Sequence, residues 1–195
     1  MTAPALDRES LKAELLQKFP GASTASAEVK GFPTLRLASA ESLIPVLRWL
    51  KDERGFGYLD MVAATDWKGP VDLDGYIREP NPNVFLPEGA TPQIAAPTPG
   101  KDVPYRESFE LIYLLSNLNA KLKLIIKLDA PRVNGSVPSI VSVFKSADWQ
   151  EREIFDLFGL RFDGHPNLKK ILTPDFIEGY PLRKDYKHKK DRFDA

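Results

Sequence analysis

The strongest candidates for chemistry in this sequence are four charged residues on one short predicted helix: Glu151, Arg152, Glu153 and Asp156. Carboxylates this close together could serve as general acid and general base in a hydrolase. Such catalysis also needs a nucleophile or metal partner, and the neighbouring sequence supplies neither. Two other interpretations stay open. The residues form an exposed, self-paired helix face, with Arg152 and Asp156 as an i,i+4 pair, or they anchor another segment or a partner.

Metal and cofactor chemistry is largely excluded by composition. The sequence has no cysteine, which excludes disulfides, a thiolate zinc site, a cysteine-ligated iron–sulfur cluster and a cysteine nucleophile. It has two histidines, His165 and His188. His165 stands between glycine and proline in a predicted turn, where backbone hydrogen bonding is the favoured role and an interface contact is the alternative. There is also no G-x-G-x-x-G motif and no P-loop.

The C-terminal residues are basic. Residues 183–192 contain six lysines or arginines against Asp185 and Asp191. They are interpreted as a solvated terminus or as a segment that docks on an acidic protein face. Nucleic-acid binding is disfavoured because no aromatic platform accompanies the charge. Arg183 and Asp185 could pair with each other or reach a partner, since the guanidinium fork can donate two bonds at once.

The charged residues must be positioned by a helix over residues 148–158. Asp148 is the predicted N-cap, and Glu151 would close a capping box with it. Gly159 falls where a left-handed C-terminal cap is expected. After it, glycines and prolines recur too often for another long helix. This segment is predicted to be extended and irregular, yet it keeps the large apolar residues Leu160, Phe162, Leu168, Ile171, Leu172, Phe176, Ile177, Tyr180 and Leu182, which lie on their own domain or on another protein.

The rest of the chain predicts an α+β fold. Helices are expected over residues 6–19 and 42–52, the latter with Pro45 in its first turn. The expected strands are residues 26–30, 34–37, 58–65, 109–115, 121–128 and 139–144. Along 121–128, leucine and isoleucine alternate with lysine, which is typical of an antiparallel sheet covered on one face.

The prediction is therefore a two-layer domain, residues 1–145, with a mostly antiparallel sheet and helices on one face. It includes a proline-rich insertion at 69–104, and residues 146–195 form a short helix and an extended, partner-docking tail. No apolar run is long enough to span a bilayer, and the acidic N-terminal residues are unlike a targeting peptide.

The C-terminal part resembles the signature region of the C-type subunit of complex I, which is the 30-kDa subunit family of NADH:quinone oxidoreductase. The match runs without a gap over residues 151–186, and the hairpin at 108–128 is also similar to that family's sheet. Two departures are the proline-rich stretch 69–104 and the basic run that follows Tyr186. The matching positions are Glu151, Arg152, Glu153, Asp156, Leu157, Phe158, Gly159, Phe162, Gly164, His165, Pro166, Leu168, Ile171, Leu172, Gly179, Pro181, Leu182, Arg183, Lys184, Asp185 and Tyr186.

The resemblance implies a structural subunit in the peripheral arm of a proton-pumping respiratory enzyme, on the cytoplasmic side of the bacterial inner membrane. Its expected partners are the large D-type subunit of complex I and the neighbouring iron–sulfur subunits, and these partners, not this chain, would hold FMN and the clusters. The expected interface residues are Glu151, Arg152, Glu153, Asp156, His165, Arg183, Lys184 and Asp185. The alternatives are an equivalent subunit of a membrane-bound hydrogenase or of a ferredoxin- or F420-linked complex, a stand-alone hydrolase, and a basic-tailed RNA-binding protein.

Overall fold

The computed structural model describes residues 7–24, 32–69 and 105–187, and these contain three α-helices and seven strands. The predicted strand at 26–30, most of the proline-rich stretch and His188 lie outside the described residues. The helices are α1 (Arg8–Lys18), α2 (Leu43–Arg54) and α3 (Ala147–Phe158), and the strands are β1 (Ala22–Thr24), β2 (Thr34–Leu37), β3 (Tyr58–Asp66), β4 (Ser108–Asn117), β5 (Leu122–Pro131), β6 (Ser136–Pro138) and β7 (Arg161–Asp163).

Five strands form one sheet in the order β1-β2-β5-β4-β3. Within this sheet only the β2–β5 pair is parallel, so the predicted mostly antiparallel α+β fold is confirmed for the described part of the chain. A second, two-stranded sheet pairs β6 with β7 in parallel. The edge strand β3 lies against α3. The Val62 N–H of β3 donates to the Gln150 side chain of α3 over 2.5 Å. This bond fixes α3 beside the sheet.

The two faces of the main sheet differ in chemistry, as the alternation in β5 predicts. On β4, Phe109, Leu111, Tyr113 and Leu115 are fully buried in the core that the helices cover. The opposite face carries Glu110, which accepts bonds from the side chains of Arg36 on β2, Lys127 on β5 and Arg106 just before β4. One face is thus apolar and packed, whereas the other is held by ion pairs.

The helix ends agree with the sequence in part. Pro45 lies in the first turn of α2, as predicted, and Gly159 ends α3 with a φ of 68°, which suits glycine. The predicted capping box is wrong. Helix α3 begins at Ala147, Ser146 makes no side-chain cap bond, and Asp148 lies inside the first turn.

The strand predicted over 139–144 is also wrong. The strand β6 ends at Pro138, before this range, and residues 140–144 form a turn in which the Val143 and Phe144 N–H groups both donate to the Ile140 carbonyl. A short apolar run shows that residues are buried but does not by itself identify a strand. Among the described residues, no helix has the length and apolarity that crossing a bilayer requires.

Candidate functional site

The charged residues of α3 do not form one face. Glu151 and Asp156 are fully buried, Arg152 is half-buried and Glu153 is exposed. The predicted pair between Arg152 and Asp156 is wrong, because Arg152 instead donates to the Lys169 carbonyl over 3.1 Å and Asp156 bonds backbone groups further along the chain. The two buried carboxylates hold different segments, so they do not converge on an open pocket as a hydrolase would require.

Glu151 holds the turn that follows β6. Its carboxyl oxygens accept the Ser139 hydroxyl over 2.6 Å and the Ile140 N–H over 2.7 Å. Burial raises the pKa of Glu151 to about 7, and the nearby Asp148 carboxylate adds repulsion, although both hydrogen bonds act in the other direction. The Tyr113 hydroxyl is buried and has no partner among the described residues, and burial together with Glu151 raises its pKa as well. Glu151 therefore keeps its proton to a higher pH than an exposed glutamate does.

His165 packs beside this carboxyl group and orders the turn after β7. Its Nδ1 accepts the Asn167 N–H over 3.0 Å, which places the ring proton on Nε2, 3.2 Å from the Asp148 carbonyl oxygen. Nε2 lies 3.9 Å from the nearer Glu151 oxygen. The side chain is fully buried, and these bonds agree with the turn-shaping role favoured from the sequence.

We expect the raised pKa of Glu151 to make the protein less stable as the pH rises. Unfolded, the carboxyl group ionises near its ordinary pKa of 4.5, whereas in the fold it keeps its proton to about 7. Stability from this group is therefore complete below the unfolded pKa and falls between the two values by about 3 kcal/mol. Glu151→Gln should flatten this part of the pH profile, measured by urea denaturation from about pH 5 to about pH 8.

The exposed Glu153 on the same helix supplies the control, because Glu153→Gln should leave the profile unchanged. Parallel profiles for the wild type and Glu151→Gln would contradict the prediction.

Asp156 holds the C-terminal segment to α3. Its Oδ2 accepts the backbone N–H groups of Ile171, Leu172 and Thr173 over 2.9, 2.7 and 2.9 Å, and its Oδ1 accepts the Thr173 hydroxyl. Burial would raise the pKa of this carboxyl group, but the hydrogen bonds outweigh burial and the pKa is lowered. One ionised side chain thus fixes three consecutive residues of an irregular segment.

The end of α3 is a second attachment point. The Leu182 N–H donates to the Leu157 carbonyl over 3.0 Å, and the Arg183 Nε donates to the Phe158 carbonyl over 2.6 Å. These carbonyls have no partner inside the helix, and a cation is favoured at the C-terminal end of its dipole. A Cβ at Gly159 would lie 2.4 Å from the Tyr180 ring, so glycine there also permits the close approach of the segment.

A third attachment is a buried ion-pair network around Arg132. The guanidinium binds Asp66 with two bonds of 2.8 and 2.9 Å and binds Asp185 over 2.7 Å. The Lys184 N–H donates to Asp66 over 2.9 Å. The hydrogen bonds from Arg132 and Lys68 lower the pKa of Asp185 to about 2. No local pattern in the sequence points to Arg132, although an acidic residue at the end of the apolar strand β3 is a detectable signal for Asp66.

Some of the attached segment's large apolar side chains are exposed. Leu172, Phe176 and Leu182 are 59%, 64% and 50% exposed, and Trp149 on α3 is 68% exposed. We call these four side chains the apolar surface. Exposed large apolar side chains on and beside a segment that the protein fixes in place favour contact with a partner.

A cleft of about 590 Å³ lies between the β5–β6 loop and the C-terminal segment. Its lining includes Arg161 and Arg183 and the apolar side chains Phe155 and Leu168. Of the residues expected at an interface, Arg183 therefore lines a cleft and Glu153 is exposed, whereas Lys184 and Asp185 lie at the Arg132 network. No group of three or more potential metal-ligating side chains occurs among the described residues.

Comparison with known families gives a match over most of the chain. Residues 37–192 match the family described as respiratory-chain NADH dehydrogenase, 30 Kd subunit. The chain is 33% identical over 175 residues to a C-type NADH-quinone oxidoreductase subunit of Rhizobium meliloti, covering 89% of this chain and 70% of that protein. It is 31% identical over 190 residues to the combined C/D-type NADH-quinone oxidoreductase protein of Methylococcus capsulatus, covering 95% of this chain and 27% of that longer protein.

Solved structures show the same fold at low sequence identity. A protein of an archaeal membrane-bound sulfane sulfur reductase matches with a TM-score of 0.64 at 21% identity, covering 91% of this chain and 84% of that one. A trypsin-resistant fragment of Nqo5 matches with a TM-score of 0.52 at 20% identity, covering 82% and 98%. The family match and the relatives together show that this chain belongs to the 30 Kd subunit family of the respiratory-chain NADH dehydrogenase.

Proposed function

We propose that the chain is a cofactor-free structural subunit in the peripheral arm of a proton-pumping NADH:quinone oxidoreductase, where it holds neighbouring redox subunits in place. The observation that carries the proposal is the C-terminal segment. It is fixed to the body by Asp156, by the carbonyls at the end of α3 and by the Arg132 network, while the apolar surface remains uncovered. A surface ordered before binding loses less conformational entropy when a partner docks.

The proposed partner on this surface is the D-type subunit of complex I, with the iron–sulfur subunits beside it. The C/D-type protein of Methylococcus capsulatus carries both subunit names in one chain, which supports adjacency of the two parts. Redox chemistry is assigned to the partners, because a chain without cysteine offers no thiolate for an iron–sulfur cluster. In this role the chain lies peripherally on the cytoplasmic side of the bacterial inner membrane.

Affinity purification of the tagged chain from its native host tests the proposal. We expect the D-type and iron–sulfur subunits to co-purify, and we expect Phe176→Asp to reduce their recovery, because a carboxylate in a desolvated interface has no compensating charge. The control is Leu118→Asp in the β4–β5 turn, where the leucine is 71% exposed and outside the apolar surface. Recovery of no respiratory subunit with the wild type, or NADH–quinone activity of the chain alone, would refute the proposal.

A second proposal keeps the family and changes the assembly to a membrane-bound hydrogenase or a ferredoxin- or F420-linked complex. The fold also occurs in a membrane-bound sulfane sulfur reductase, so it is not confined to NADH-dependent assemblies. The same purification decides between them. An NADH-binding flavoprotein among the recovered subunits supports the first assembly, and hydrogenase subunits support the second.

A further inference from the structure

We propose that the cleft between the β5–β6 loop and the C-terminal segment takes up an acidic side chain of the D-type subunit, held by Arg161 and Arg183. The inference rests on the proposed function and names a chemical contact within it. The cleft is distinct from the apolar surface, because its lining combines three arginines, Arg132, Arg161 and Arg183, with the walls of Phe155 and Leu168.

Arg183 is already oriented for such a contact. Its Nε donates to the Phe158 carbonyl, and its guanidinium stacks 4.7 Å from the Tyr180 ring centroid and 5.2 Å from that of Phe109. These contacts fix the plane of the group and leave the terminal nitrogens as donors. A guanidinium held in this way binds a carboxylate with little further loss of side-chain freedom.

Arg161 is placed by the backbone. It begins β7, its N–H donates to the Gly135 carbonyl over 3.2 Å, and its side chain is exposed. The β5–β6 loop can turn this tightly after β5 because residue 135 is glycine, where a Cβ would lie 1.9 Å from the Pro131 oxygen. The second arginine is thus held at the cleft by the backbone pairing of β7 with the β5–β6 loop.

The charge in the cleft is not balanced by its own surroundings. Arg132 is neutralised by Asp66 and Asp185, whereas neither Arg161 nor Arg183 forms an ion pair with a carboxylate of the described residues. A free small anion would satisfy the arginines but not the apolar walls. An acidic residue in a protein segment satisfies both, and charge complementarity of this kind selects a partner and increases its association rate.

The test is charge reversal at Arg161 in the full chain, co-purified with the D-type subunit. We expect Arg161→Glu to reduce recovery of that partner about tenfold or more, since repulsion replaces attraction. The matched control is Arg48→Glu on α2, an exposed arginine outside this cleft, which should leave recovery unchanged. The melting temperature of the isolated variant should equal that of the wild type, because the described residues give the Arg161 side chain no partner to lose.

The outcomes separate this inference from the proposed function. Failure of the wild type to recover the D-type subunit refutes the function itself. Recovery with the wild type and equal recovery with Arg161→Glu overturns the acidic contact alone. Binding of inorganic phosphate to the isolated chain, measured by calorimetry and lost in Arg161→Glu, would also overturn it by assigning the cleft to a small anion.

Discussion

Replacing Arg132 by methionine is expected to lower the free energy of unfolding by about 3–5 kcal/mol, because Asp66 is then a buried carboxylate without its cation. The Asp66 side chain is fully buried and Arg132 is 4% exposed, so water cannot replace the lost partner. Methionine keeps most of the apolar length of arginine, which limits the contribution of lost packing. Urea denaturation at neutral pH measures the effect.

The double variant Arg132→Met with Asp66→Asn identifies the cause. Removing both charges should recover much of the lost stability, since the pair itself contributes less than the penalty for one unpaired partner. Asp185→Asn measures how much the outer, exposed part of the network contributes to the free energy of unfolding. Because the Asp185 side chain is 44% exposed, solvent screens it and we expect a loss of about 1 kcal/mol or less. A loss as small as about 1 kcal/mol for Arg132→Met would contradict the prediction.

The fold was predictable where a local pattern carries the information. Alternation along β5 identified its buried face, and Gly159 identified the end of α3 through the left-handed conformation that glycine adopts easily. Pro45 was placed correctly in the first turn of α2 for a similar reason, since the first helical turn does not need its N–H.

The site was less predictable because its contacts join residues far apart in the chain. Nothing near Arg132 indicates that it binds Asp66, and the sequence neighbours of Asp156 suggested Arg152 instead of the backbone at 171–173. Charged residues on a short helix are usually assigned to an exposed face, yet Glu151 and Asp156 are buried there by segments that arrive from elsewhere. Sequence analysis singled out Glu151 and Asp156, and the structure gives their intramolecular contacts. Their place at a subunit interface stays a prediction.

Replacing Asp156 by alanine is expected to release the C-terminal segment and to lower the free energy of unfolding by about 3 kcal/mol, because bonds to a charged acceptor are the strong ones and several are lost together. The backbone N–H groups of residues 171–173 would be left to water, which can reach this half-buried stretch and keeps the loss below the simple sum. Asp156→Asn should lower the free energy of unfolding by less than Asp156→Ala does, since the amide oxygen still accepts but carries no charge.

Two measurements locate the effect of Asp156→Ala in the segment. Hydrogen exchange of the amides of residues 171–173 should accelerate, and trypsin should cut sooner at the neighbouring Lys169 and Lys170. Asp163→Ala, at an exposed aspartate on β7, should change neither.

Because Asp156 positions the residues beside Leu172 and Phe176, its loss should also reduce recovery of the D-type subunit when the chain is still folded. Unchanged exchange at 171–173 would show that other contacts fix the segment, and the proposed docking role would then not depend on Asp156.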